Sequence, residues 1–250
     1  GTGDDLFILP DDVNLLAAIA SIDGGTFGND TIDLGVFTTA LTTSVTARGT
    51  GNSGFTGSVI ETGGAETVVT GFNRIDGVLG GTLSDTLNLQ PLNAGTPLPG
   101  NLVLDGAGSR YTELVTNQTL DFDGFENINT GDGTDTVSVN TDFAANLNTG
   151  NGTSSVTLAA GVTLTGTFTS GSGADVLLLN AGATITGNVA LGAGADSVQL
   201  NNSATINGTL DGDAGSDTLN FSNYASARTV TLQAADATDG GFDGATAAVN

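Results

Sequence analysis

The chain has 250 residues, with 27 acidic against 4 basic side chains and a net charge of −23. So acidic a surface excludes nucleic acid as a partner and disfavours anionic membranes, because phosphate binding needs a basic face. No apolar run approaches the ~20 residues of a membrane span, and the absence of Cys and His removes disulfides and most nucleophile and general-base systems.

From the N-terminus, turn carboxylates at Asp5, Asp30 and Asp85 each precede an alternating apolar pair: Phe7 and Leu9, Ile32 and Leu34, Leu87 and Leu89. The spacing predicts long, irregular units over 1–129. Residues 11–22 suit a short helix with an acidic start or an irregular strand. Residues 36–70 are threonine-rich with weak turns and suit a protruding loop. Pro91, Pro97 and Pro99 mark a second excursion over 91–101, since proline cannot donate to an interior ladder. Turn-like copies without the carboxylate stand at Thr50–Gly54 and Asp105–Arg110, and positions 85, 110 and 135 are 25 apart.

Over 130–250 the pattern tightens. Thr130-Gly131-Asp132-Gly133-Thr134-Asp135 returns as Ser170-Gly171-Ser172-Gly173-Ala174-Asp175, then around Asp196 and as Gly212-Asp213-Ala214-Gly215-Ser216-Asp217, with a degraded copy ending at Ser154. The sixth positions step by 19, 21, 21 and 21 residues. A fixed period near 20 residues is the signature of a solenoid. Period-2 pairs follow each turn (Val137 and Val139, Val156 and Leu158, Leu177 and Leu179, Val198 and Leu200) and predict one inward face. Leu164, Ile185 and Ile206 predict a second inward row, with Thr163, Thr184 and Thr205 outside, and Asn180 and Asn201 a corner ladder. The expected fold is an all-β, right-handed parallel β-solenoid with about 20–25 residues per coil and about ten coils. The whole chain reads as one segment of a longer protein.

The turns also carry a chemistry. Stacked units place turn carboxylates in a column, and Asp with glycine-turn carbonyls are hard oxygen ligands suited to Ca²⁺. The candidate ligands are Asp175, Asp196, Asp217, Asp213, Asp135, Asp132, Asp30, Asp85 and Asp5. The best pairs are Asp175 with Asp196, and Asp196 with Asp217. Ser154 and Arg110 interrupt the column, so the neighbours of Asp135 are compromised. The bland alternative is a metal-free turn, with Asp and Gly present for geometry alone.

Gly212-Asp213-Ala214-Gly215-Ser216-Asp217-Thr218-Leu219-Asn220 and Gly25-Thr26-Phe27-Gly28-Asn29-Asp30-Thr31-Ile32-Asp33 resemble the nonapeptide of RTX (haemolysin-type) calcium-binding repeats. Gly81 to Leu87 is a weaker copy. The resemblance implies an RTX-like β-roll or β-helix, bound calcium, and a secreted bacterial protein at the cell surface or outside the cell. With it goes a structural, non-catalytic role: an S-layer, matrix-filament or adhesin-stalk segment that stacks head to tail with itself. The other half of each unit reads Ala-Thr-Ile-Thr-Gly and lacks the family's second carboxylate row. The competing reading is an adhesin or glycan-binding module that meets a cell-surface glycan through the loops at 36–70 and 91–101. An ice-binding threonine face and a polysaccharide-active site, with Asp121 and Asp123 or Arg110 with Tyr111, rank below both.

Overall fold

The computed structural model describes residues 1–11, 19, 21–51, 53–62, 67–93, 95–106, 108–235 and 242–248. The helix-or-strand alternative over 11–22 therefore falls mostly outside the described residues. Among those described the chain is all β, with no helix able to cross a membrane.

Two sheets of eleven strands each carry the structure. From Thr136 to Asn220 the chain visits them in alternation. Beyond that, Arg228–Ala235 and Phe242–Ala248 pair antiparallel in a separate two-stranded sheet, so the regular units expected over 130–250 do not run to the end of that range. Thr136–Val139, Ser155–Leu158, Val176–Leu179, Ser197–Leu200 and Thr218–Asn220 lie side by side and parallel in the first sheet. Asn146–Asn148, Phe168–Thr169, Val189–Ala190 and Leu210–Asp211 do the same in the second. Each repeat adds one rung to each sheet. A small third sheet joins Thr163–Leu164, Thr184–Ile185 and Thr205–Ile206, with the threonines in register outside and Leu164 and Ile185 fully buried. Neither long sheet closes or curls on itself.

Register explains the core. Val137, Val156, Leu177, Val198 and Leu219 stand opposite one another, as do Val139, Leu158, Leu179 and Leu200. A residue every second position, repeated every rung, makes two apolar columns on one face. One buried cluster runs from Leu9 to Ala204 and takes in the inward residues of both long sheets. The corner asparagines form a closed ladder: Asn223 Nδ2 donates to Asn201 Oδ1 at 2.8 Å, Asn201 Nδ2 to Asn180 Oδ1 at 3.2 Å, and Asn180 Nδ2 to the Leu158 carbonyl at 2.9 Å.

The N-terminal half is built differently from the expectation. Leu41–Arg48, Phe55–Glu61 and Thr67–Ile75 form an antiparallel run inside the second sheet, and Gly100–Leu104, Ser109–Glu113 and Thr119–Asp123 form another inside the first. The turn-like sequences around Gly51 and Gly106 fall between the antiparallel strands of these hairpins and are not members of the column. Gly51 and Gly106 have φ of 77° and 53°, which reverses the chain where the repeat turns carry it onward. Most of 36–70 is thus sheet rather than protruding loop: Leu41, Thr43 and Val45 point inward and Thr42 and Ser44 outward. The proline stretch does make an excursion, a short hairpin pairing Leu92 with Pro97. The two antiparallel inserts meet through the Phe55 and Tyr111 rings, 6.0 Å apart, and through Arg48 Nε at 3.6 Å from the buried Glu113 carboxylate.

Candidate functional site

In a parallel stack, the residue just before each strand has a main-chain N–H that the strand ladder does not take up, and a buried donor needs a partner. Here a carboxylate one rung further on supplies it. Asp217 Oδ1 accepts the N–H of Asp196 at 3.0 Å, Asp196 Oδ1 that of Asp175 at 2.7 Å, and Asp175 Oδ1 that of Ser154 at 2.7 Å. Further down the same sheet, Asp135 Oδ1 accepts from Gly100 at 2.8 Å, Asp76 Oδ2 from Asp30 at 3.2 Å, and Asp30 Oδ1 from Asp5 at 2.9 Å. The main-chain carbonyls run the other way: Asp135, Ser154, Asp175 and Asp196 accept from Ser155, Val176, Ser197 and Thr218. Each corner is stitched to its neighbours by both its backbone groups.

Asp85 belongs to a second column. It precedes Thr86–Asn93 of the second sheet, where its Oδ1 accepts from Leu41 at 2.7 Å and its own N–H donates to Glu126 Oε2 at 2.9 Å. Sequence reasoning placed it in line with Asp30 and Asp135; the sheet assignment separates them. It also missed Asp76 and Glu126, which do the same work without a Gly-x-Gly turn before them. Their only sequence signal is an acidic residue two positions ahead of an apolar strand residue, Val78 and Ile128.

The glycines keep the turns close enough for this reach. A Cβ on Gly194 would overlap the Gly173 carbonyl, and one on Gly215 the Gly194 carbonyl. Gly131 and Gly192, with φ of 93° and 80°, take the left-handed step that starts the turn.

Asp30, Asp85, Asp135, Asp175 and Asp196 are all at most 2% exposed. Burial disfavours the ionised form and pushes the carboxyls of Asp135, Asp175 and Asp196 up. Asp135 rises to about 6, although the Thr130 hydroxyl and the Gly100 N–H oppose the shift. Around Asp196 the carboxylates of Asp175, Asp217 and Asp213 add to the rise. The second oxygens differ. Asp135 Oδ2 accepts from Thr130 Oγ1 at 2.7 Å and Asp85 Oδ2 from the Gly81 N–H at 2.6 Å. The Oδ2 atoms of Asp175 and Asp196 are buried with no partner, as are Thr149 Oγ1 and Ser154 Oγ on the rung before them. The Ser170 hydroxyl, which donates to the Leu191 carbonyl, still lies near enough to Asp175 to oppose the rise of its carboxyl, so Asp196 is the clearer case.

The remaining candidates lie outside. Asp217 is the exposed last member of the ladder. Asp132 Oδ1 accepts from the Asn151 main chain and amide, and Asp213 Oδ2 from the Gly192 N–H, each stapling adjacent turns on the solvent side. Asp5 is half-buried beside the N-terminal amine. Among the described residues no three acidic side chains converge on one point.

Arg110 does not stand in the column. It lies on an antiparallel strand and pairs with Asp121 through its Nε and Nη2 on the exposed face. Tyr111, the next residue, points into the core and is fully buried. Arg110 and Tyr111 therefore sit on opposite faces of one strand and share no site.

No protein-family model, curated protein or solved structure matches the chain. The resemblance to RTX repeats rests on the nonapeptide motifs alone.

Proposed function

We propose that this chain is a non-catalytic structural segment, a right-handed parallel β-solenoid that acts as a calcium-stabilised rod. The observation that carries the reading is the carboxylate ladder: seven buried or half-buried acidic residues, Asp30, Asp76, Asp85, Glu126, Asp135, Asp175 and Asp196, each accept a main-chain N–H of a neighbouring rung. Alternation between two sheets with a constant rung-to-rung register is how a wound chain propagates, and each unit then depends on its neighbours rather than on a globular core.

Calcium fits one part of the ladder best. Asp175 and Asp196 each keep a buried oxygen without a donor, on consecutive turns rich in main-chain carbonyls. A hard cation between those turns would satisfy both oxygens and offset their repulsion. Asp135 and Asp85 have both oxygens engaged and fit an ion less well. The resemblance to secreted RTX repeats supports a reading of the rod as an S-layer, filament or stalk segment at a bacterial cell surface or in an extracellular matrix. Head-to-tail stacking on further copies suits its open edges: the inward Leu219 of the last first-sheet rung is 39% exposed, where its partner Val198 is 2% exposed.

The test is a thermal melt followed by circular dichroism, in chelator and with added calcium. Binding to the folded state alone adds about 2.7 kcal/mol per site at a hundredfold excess over Kd. A melt that does not respond to either addition would remove calcium and leave a metal-free rod.

A further inference from the structure

The outer face of the second sheet holds a trough of about 390 Å³. Its floor is a single register column: Asn88, Asn129, Asn148 and Thr169 stand opposite one another on four neighbouring strands. At about 4.8 Å per strand the column runs about 14 Å. Gln90 and the turn that carries Asp132 line its sides.

Elsewhere in this protein, asparagines in register close on themselves. The corner ladder from Asn223 to the Leu158 carbonyl uses both ends of Asn180 and Asn201. On the neighbouring column Asn146 donates to Asn127 at 3.0 Å, and its Oδ1 accepts from Thr167. The trough column does not close. Asn129 Nδ2 donates to Asn88 Oδ1, but Asn148 turns its Oδ1 to the Gly150 N–H at 2.9 Å. Among the described residues, Asn129 Oδ1 and Asn148 Nδ2 therefore carry no hydrogen bond. An acceptor and a donor are left on adjacent rungs, each held by a bond at its other end.

The lining also has a definite chemistry. Among the described residues it holds amides, hydroxyls, glycine backbone and one carboxylate, with no cation, aromatic ring or aliphatic side chain. Anionic ligands find no counter-charge there, and apolar ligands find no wall. Vicinal hydroxyls, which donate and accept at once, match it. The rung-by-rung repeat suits a linear chain of such units.

We propose that this trough binds a neutral, extended polysaccharide, with Asn129 and Asn148 as the central contacts. It lies on the regular rungs rather than on the loops, and it is independent of whether calcium occupies the turns.

The experiment is a titration of isotope-labelled protein, in calcium throughout, with cellohexaose, maltohexaose and hexagalacturonate. A neutral hexaose should shift the side-chain amide signals of Asn129 and Asn148, with hexagalacturonate weaker. The paired change Asn129→Ala and Asn148→Ala should weaken binding about tenfold or more, since both central hydrogen bonds are lost. Thr184→Ala, on the third sheet, should leave binding unchanged. The proposal fails if neither neutral hexaose shifts those signals up to its solubility limit, or if the shifts map to another face. It fails equally if the folded double variant binds like the parent. The shift map needs no variant, so poor folding of the double variant does not shield the proposal.

Discussion

Asp196 holds the main-chain N–H of Asp175 at 2.7 Å with one carboxylate oxygen and leaves the other buried without a partner. The first oxygen is architecture and the second is an electrostatic cost. Substitutions at 196 separate them. Asp196→Ala removes the acceptor and strands a buried N–H, which costs about 1–3 kcal/mol. Asp196→Asn keeps an acceptor oxygen and removes the buried charge. In chelator, the alanine variant should melt several degrees below the parent and the asparagine variant at or above it. Equal losses in both would mean that the N–H to carboxylate bond contributes little.

Calcium reverses the ranking at that position. The ion needs the charge that Asn lacks, so Asp196→Asn should abolish most of the stabilisation that calcium gives the parent. Asp135→Asn should preserve it, because Asp135 Oδ2 is already engaged by Thr130. Calorimetric titration of the two variants measures this directly. Equal calcium stoichiometry in both would argue against an ion shared by the Asp175 and Asp196 turns.

The acid response follows from Asp135. Its carboxyl lies at about 6 in the folded chain, against an ordinary value of 3.8. The folded state therefore holds the proton more tightly than the unfolded state. The associated stability is fully present below about 4 and lost as pH rises through about 6. It is on the order of 2 kcal/mol once partial solvation is allowed for. Asp175 and Asp196 are raised as well and add in the same direction. In chelator, the melting temperature should rise as pH falls from 7 to 5, and Asp135→Asn should flatten that slope. With calcium bound at the Asp175 and Asp196 turns, those two carboxylates are held ionised. Their contribution then changes sign, and acid should weaken that part of the rod. A melting temperature that falls on acidification in chelator would contradict the burial of these groups.

Much of this was legible in the sequence where local pattern and global register agree. The pairs at Val137 and Val139, and their successors every 21 residues from Val156 onward, repeat one local sequence, so the parallel stack needs no outside information. The N-terminal inserts hid because period-2 alternation looks alike in parallel and antiparallel strands. Thr43 and Val45 would read the same in either, and only the hairpin tips at Gly51 and Gly106 set direction. Asp85 was misplaced because a turn carboxylate does not say which sheet follows it. The trough was illegible because Asn88, Asn129 and Asn148 are brought into line by register across residues 41 and 19 apart, a spacing that no local motif records.

The glycines of the repeat turns give the sharpest test of the stacking itself. Gly194 and Gly161 both sit in turns of regular rungs, but for different reasons. A Cβ on Gly194 would overlap the Gly173 carbonyl one rung away, and its φ is not among the left-handed ones. Its requirement is therefore purely steric and inter-rung. Gly161 has φ of 74° and open space around its missing Cβ, so its requirement is purely conformational. Gly161→Ala should cost about 1–2 kcal/mol, the price of one left-handed alanine. Gly194→Ala must push the Gly173 carbonyl of the Asp175 turn away from the turn that carries Asp196, the central member of the ladder. That would stretch the Asp196 bond to Asp175 and expose the orphaned oxygens, so it should cost several times more. Hydrogen exchange should then show the Ser154, Asp175 and Asp196 N–H groups losing protection together, while the N-terminal inserts keep theirs. Similar costs for the two variants, or protection lost evenly along the chain, would mean that the rungs are not coupled through these turns.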